Sequence, residues 1–189
     1  MKQALAIIGC LLLLNSCISI NISGFNSGYK KLPPDQQARV VFVKDGEPIC
    51  NIPNDKRIYA IHASQLLQCL RDNDTSVVYR WSPECHSKVC ISLPMAQHYC
   101  DVHHYKLYVV QEYYDFARAD PQNTNPTPLF ATNLKYYKTD YCNKYERLFA
   151  NELAGHKLAK DDRFHRFFFF KGDKLVFTKE SLVNTVMGQ

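Results

Sequence analysis

The sequence predicts an α/β domain with a central mixed sheet flanked by helices. Short apolar runs of strand length alternate along the chain with segments whose apolar residues recur at helical spacing, which is the pattern of an α/β fold. Near the end of the chain, Gly172-Asp173 separates two apolar runs and predicts a hairpin. A hairpin adds an antiparallel edge to strands that are joined by helical crossovers, so we expect a mixed sheet.

The composition is that of a globular protein with one domain. The chain has 189 residues, of which 46% are hydrophobic and 22% are charged. Its net charge of +5 is spread along the sequence rather than gathered in a basic cluster. We therefore expect no nucleic acid partner.

The first segment predicts export and a lipid anchor. Ala4 to Leu14 is an apolar run typical of a signal peptide and shorter than the roughly 20 residues of a transmembrane helix. Leu14-Asn15-Ser16-Cys17, which follows, resembles a bacterial lipobox. We expect a signal peptide over residues 1–16 and acylation of Cys17, for example with palmitate, which anchors the chain to a membrane of the bacterial envelope with its domain in the periplasm. The alternative is an ordinary secretory signal; export in either form permits disulfides.

Residues 17–37 predict a lipidated flexible tether, because Asn, Ser, Gly and Pro dominate their composition. The folded domain is then expected over residues 38–189. Its predicted elements, in order, are strands at 39–43 and 57–61, a helix at 63–70, a strand at 76–81, a helix from 85 to about 104, a strand at 106–111, a loop at 120–128, a helix at 141–153, a hairpin at 167–177 and a closing helix at 181–187.

The junction between the strand at 76–81 and the next helix carries a candidate thiol. The strand ends in Trp81, and Cys85 is predicted to open the helix that follows. Unpaired backbone N–H groups and the helix dipole stabilise a thiolate at a helix N-terminus. We therefore expect Cys85 to be the most nucleophilic of the exported thiols, with Lys88 as a neighbour that lowers its pKa.

This junction resembles the thioredoxin superfamily, in which a strand runs into W-x-x-x-C-x-x-C. Pro94 lies near the position of the family's helix kink, and Phe167–Val176 is similar to the family's terminal hairpin. The resemblance covers about residues 38–189 and implies a thioredoxin-like fold of the bacterial envelope lipoprotein type. It also implies that the strands at 76–81 and 106–111 share one sheet with the hairpin.

Two positions depart from the family's pattern. The family's resolving Cys would stand at Lys88, and the second thiol here is Cys90, five residues after Cys85. His165 stands where the family has a cis-proline. The resemblance implies that His165 faces Cys85 across a shallow groove, where its imidazole could activate the thiol.

These residues leave three functions open. The first is thiol–disulfide exchange with envelope thiol proteins, with Cys85 attacking and Cys90 resolving. The second is a noncatalytic binding or assembly lipoprotein on the same scaffold. The third is a copper-binding protein similar to the Sco family, with Cys85, Cys90 and His165 as ligands; otherwise we expect no cofactor. The pairing of the six exported thiols is left open by the sequence; they are Cys50, Cys69, Cys85, Cys90, Cys100 and Cys142.

Overall fold

A seven-stranded sheet forms the centre of the domain in the computed structural model, which describes residues 25–87 and 89–182. The strands are β1 (Val40–Phe42), β2 (Ile58–Ile61), β3 (Thr75–Trp81), β4 (Lys106–Gln111), β5 (Leu129–Thr132), β6 (Phe167–Lys171) and β7 (Lys174–Lys179). Their spatial order is β1-β2-β5-β4-β3-β6-β7. The first five run parallel, while β6 is antiparallel to β3 and β7 is antiparallel to β6. The prediction of an α/β domain with a mixed sheet is confirmed.

Helices cover both faces of this sheet. They are α1 (Pro34–Ala38), α2 (Ala63–Arg71), α3 (Leu93–Val102), α4 (Phe116–Gln122) and α5 (Cys142–Ala154). Side chains of α3 and α4 share one buried core with Val77 and Tyr79, and those of α2 and α5 share a second core with Val78. Because successive residues of a strand point to opposite faces, β3 contributes to both cores in alternation.

Strand β3 is buried on both faces, from Ser76 to Trp81. It pairs in parallel register with β4 on one side and antiparallel with β6 on the other. The strands at 76–81 and 106–111 and the terminal hairpin therefore belong to one sheet. The hairpin turns at Gly172-Asp173, where Gly172 has a φ of 55°, a value that glycine adopts without strain.

The predicted helix from Cys85 to about His104 is wrong in its first half. Helix α3 begins at Leu93, with Ser92 as N-cap: the Ser92 side-chain oxygen accepts a hydrogen bond of 3.3 Å from the Met95 N–H. Pro94 lies in the first turn, where its missing N–H leaves no bond unmade, so it marks the start of the helix rather than a kink. Residues 82–87 and 89–91 therefore lie outside the helix, and Cys85 is not at a helix N-terminus.

The predicted loop at 120–128 holds parts of two regular elements at its ends. Helix α4 runs from Phe116 to Gln122, and the Asp115 side chain caps it by accepting from the Arg118 N–H at 3.0 Å. Strand β5, which was not predicted, follows at Leu129 and is buried along its whole length between β2 and β4. A four-residue apolar strand gives too short a pattern to distinguish it from a buried loop.

The domain begins before residue 38. Residues 25–37, predicted as part of a tether, pack on the domain. Ser27 is fully buried; its N–H donates to the Asp140 carbonyl at 3.0 Å and its carbonyl accepts from the Tyr114 N–H at 2.7 Å. Four predicted features lie outside the described residues: the signal peptide, the acylation site Cys17, Lys88 and most of the closing helix. None of the helices in the described part of the chain is long and apolar enough to cross a membrane.

Candidate functional site

A disulfide joins Cys85 and Cys90 in the loop that follows β3. Two turns shape this loop: the Cys85 N–H donates to the Ser82 carbonyl and the Cys90 N–H to the Ser87 carbonyl, each at 3.1 Å. The two cysteine Cα atoms lie 6.0 Å apart. On a regular helix, residues five apart point about 140° away from each other. The non-helical loop is therefore what allows a five-residue spacing to form a disulfide.

The disulfide lies where another thiol can reach it. Cys85 and Cys90 are both half-buried, and His86 and Ser87 between them are exposed. The Ser87 hydroxyl lies 3.3 Å from the Cys85 sulfur and 3.5 Å from the Cys90 sulfur. A hydroxyl that donates to a thiolate favours the ionised form. Ser87 is thus positioned to assist either sulfur once the disulfide is reduced.

The positions of the other described cysteines indicate a structural role rather than thiol exchange. Cys50 and Cys69 form a second disulfide, which ties the segment before β2 to α2, and Cys69 is fully buried. Cys100 and Cys142 are free and buried. Burial raises the pKa of each of these two thiols to about 12, so neither forms a thiolate readily.

His165 has partners other than the two cysteines. Its Nδ1 lies 2.6 Å from the Thr178 hydroxyl and 3.7 Å from an Asp162 carboxylate oxygen. In residues 25–87 and 89–182, no group of three or more His, Cys, Asp and Glu side chains could hold a metal ion. Cys85, Cys90 and His165 are thus not such a group.

A cavity of about 400 Å³ opens beside this loop, at the carboxyl edge of the sheet. Arg80 and Ser82 line it from the end of β3, and Glu112 and Tyr113 line it from the end of β4. The carboxyl ends of parallel strands are the usual place for ligands in open α/β sheets. Its other walls come from α5, with Cys142, Asn143, Glu146 and Arg147, and from the 3-10 turn Asp162–Phe164.

A buried ion pair forms the floor of the cavity. Arg80 and Glu146 are each 5% exposed, and the Arg80 Nη2 lies 3.3 Å from a Glu146 carboxylate oxygen. The Thr132 hydroxyl donates to the other Glu146 oxygen at 2.5 Å. Burial raises the pKa of Glu146 to about 8, against the opposing effect of Arg80. Glu146 therefore holds its proton more tightly than an exposed carboxyl does.

Two more charges complete this cluster. A Glu112 carboxylate oxygen lies 3.9 Å from Arg80 and 3.6 Å from Arg166. Arg80 and Arg166 thus lie against Glu112 and Glu146. Arg80 also donates to the backbone carbonyls of Arg163 and His165, at 3.1 Å each, which holds the 3-10 turn against the sheet.

Tyr113 connects the cavity to the disulfide loop. Its hydroxyl accepts a hydrogen bond of 2.6 Å from the Glu84 N–H, and its side chain lines the cavity. Burial raises the pKa of Tyr113, so the hydroxyl stays protonated at neutral pH. The loop that carries Cys85 and the cavity wall are therefore held together at this point.

Two signals of this cavity are present in the sequence, although no sequence prediction above includes it. Arg80 is a charged residue inside an otherwise apolar strand, and Glu146 lies beside Tyr145 on the buried side of α5. Charged residues are almost never fully buried unless they are paired, so each of them predicts a partner. Which partner each one finds depends on the sheet order, which no local pattern specifies.

Comparison with known protein families, with curated proteins and with solved structures finds no match to this chain.

Proposed function

We propose that this chain is a lipid-anchored, thioredoxin-like protein of the bacterial envelope that exchanges thiols and disulfides through Cys85 and Cys90. The observation that carries the proposal is the Cys85–Cys90 disulfide in a half-exposed loop at the end of the central strand β3. Cys100 and Cys142 are buried, and Cys50 is bonded to a fully buried partner. Cys85 and Cys90 are the pair best suited to exchange with another protein.

The arrangement of strands supports the thioredoxin-like part of this proposal. The strand before the loop, the strand after α3 and the terminal hairpin lie in the order β4-β3-β6-β7, with β6 antiparallel to β3. This is the relation that the resemblance implies for these elements. The three parallel strands β5, β2 and β1 extend the sheet beyond β4 and are additional to it.

The proposed reaction starts from the reduced chain. The Cys85 thiolate attacks one sulfur of a substrate disulfide; this S–S bond breaks, a mixed disulfide forms, and the first substrate sulfur leaves as a thiolate. The Cys90 thiolate then attacks the Cys85 sulfur and releases the second. The substrate gains two electrons and two protons, and the chain is left with the Cys85–Cys90 disulfide. A dithiol protein of the envelope then reduces it.

Cys85 remains the proposed attacking thiol, for a reason other than a helix N-terminus. Its placement at a helix N-terminus no longer applies, because α3 begins at Leu93. The Ser87 hydroxyl lies slightly closer to the Cys85 sulfur than to the Cys90 sulfur and offers a different source of thiolate stabilisation. Turnover assays of single variants test the assignment of roles.

The decisive experiment measures reduction of a small fluorescent disulfide by the prereduced chain. We expect Cys85→Ser to abolish turnover, Cys90→Ser to trap a mixed disulfide, and Cys100→Ser, at a buried thiol, to leave turnover unchanged. A Cys85→Ser variant with full turnover would refute the redox function.

The anchor is tested separately, by growing cells with a labelled fatty acid. We expect label on the wild-type chain and none on Cys17→Ser. Equal labelling of the two proteins would refute acylation at Cys17 and leave an ordinary secretory signal.

A noncatalytic binding or assembly protein is the second candidate, and the cavity favours it. The chain keeps a large polar cavity at the carboxyl edge of the sheet, and the cavity's lining residues do not include Cys85 or Cys90. Under this alternative, replacing both loop cysteines by serine leaves the biological role of the protein intact. Under the redox function, the same variant loses it.

A further inference from the structure

Two arginines that line the cavity have no partner in the described part of the chain. Arg147 lies on the exposed side of α5, and Arg163 lies in the 3-10 turn that follows it. Neither side chain forms an ion pair with a residue in 25–87 or 89–182, and the Arg163 Nε is buried without a hydrogen-bond partner. A buried donor that lacks an acceptor destabilises the protein unless a ligand or water supplies one.

The charges around the cavity do not cancel. Glu112 and Glu146 contact Arg80 and Arg166 rather than Arg147 or Arg163. The positive charges of Arg147 and Arg163 therefore line the cavity without a carboxylate partner among the described residues.

We propose that the cavity binds a small organic anion whose phosphate or carboxylate group is held by Arg147 and Arg163. A guanidinium group presents a planar fork of N–H donors that matches the oxygens of either group. The volume of about 400 Å³ falls in the usual range for small-molecule sites.

The remaining lining residues indicate the rest of the ligand. Phe164 is 71% exposed at the rim of the cavity and provides an apolar surface next to Arg163. Asn143 and Tyr113 add neutral polar side chains to the lining. The ligand that fits is an anion with an apolar or aromatic body, rather than a bare inorganic ion.

The test is isothermal titration calorimetry of the full chain at low salt with three probes: phenyl phosphate, benzoate and the neutral benzyl alcohol. We expect saturable binding of one stoichiometric equivalent of phenyl phosphate, benzoate or both, and none of benzyl alcohol. The stronger of the two anions identifies the acidic group. Arg147→Gln and Arg163→Gln are each expected to weaken binding by about tenfold or more, since each removes a charge-assisted contact.

Lys144→Gln is the matched control. Lys144 is exposed on the same helix as Arg147 but does not line the cavity, and its substitution changes the net charge by the same amount. We expect this variant to bind within about twofold of the wild type, because only long-range attraction is lost. Thermal unfolding of each variant checks that the domain is intact.

Several results would overturn the proposal. These are saturation by neither anion, equal binding of benzyl alcohol, unchanged anion binding in both arginine variants, or an equal loss in Lys144→Gln.

Discussion

The carboxyl group of Glu146 is expected to make the stability of this domain fall as the pH rises through neutrality. Burial raises its pKa from 4.5 to about 8 in the folded protein. The folded state therefore keeps a proton that the unfolded chain releases above about pH 4.5. The stabilisation that the protonated Glu146 carboxyl provides is fully present below pH 4.5. It is lost progressively as the pH approaches 8, where the buried carboxyl ionises.

The size of this effect follows from the shift in pKa. One unit of pKa corresponds to about 1.4 kcal/mol, so a change from 4.5 to about 8 corresponds to a loss of about 5 kcal/mol in the free energy of unfolding. The charged groups that face Glu146 are Arg80 and Glu112; Arg80 opposes the rise in pKa and Glu112 adds to it.

Glu146→Gln removes this titration while it keeps the shape of the side chain and an oxygen that accepts from Thr132. Urea unfolding of both proteins at pH 5 and pH 8.5, followed by fluorescence, measures the difference. We expect the variant to gain stability relative to the wild type by a few kcal/mol between these two pH values. Glu180→Gln, at an exposed carboxylate, is the control and should track the wild type. A difference between wild type and Glu146→Gln that does not change with pH would refute the reasoning.

Three further predictions test other parts of the structure. Arg80→Met should lower the free energy of unfolding by about 3 kcal/mol, because it removes the buried donor to Glu146 and to the carbonyls of Arg163 and His165; a loss below about 1 kcal/mol in urea titrations would contradict this. After mild reduction at neutral pH, mass spectrometry should find Cys85 alkylated before Cys100, whose pKa burial raises to about 12; the reverse order would mean that Cys100 is accessible. Gly28→Ala should lower the melting temperature, because Gly28 has a φ of 79° and an added Cβ would lie 3.0 Å from a backbone carbonyl oxygen; an unchanged value would show that residues 25–37 contribute little to stability.

Much of the sheet could be predicted from the sequence because its strands carry strong local signals. The strand at 76–81 is nearly all apolar, and Gly172-Asp173 specifies the turn of the hairpin, so both were predicted with nearly correct bounds. The start of α3 was not, since Ser92 and Pro94 form a capped helix start that competes with the helical pattern after Cys85. Ser92 followed by Pro94 is a recognisable signal for a helix start. A helix that begins at this signal leaves Cys85 and Cys90 in the loop before it.

The candidate site was only half predictable, for a different reason. Cys85 and Cys90 are close in sequence, so local reasoning could pair them as candidates even though it put them on the wrong element. The cavity is built from β3, β4, α5 and the turn before β6, which are far apart in the chain. The contacts between arginine and glutamate side chains in the cavity depend on β3 lying between β4 and β6. That strand order results from contacts between residues far apart in the sequence, and no local pattern specifies it.

The geometry of β3 explains why the disulfide loop and the cavity can be tested independently. Trp81 points to the core shared with α3, while Arg80, one residue earlier, points to the opposite face, where Glu146 of α5 meets it. The end of one strand thus supports the loop on one side and the floor of the cavity on the other. A described link between them is the hydrogen bond from the Glu84 N–H to Tyr113. Substitutions at the loop cysteines should therefore leave anion binding nearly intact, and substitutions at Arg147 should leave disulfide exchange intact, because neither change touches that link.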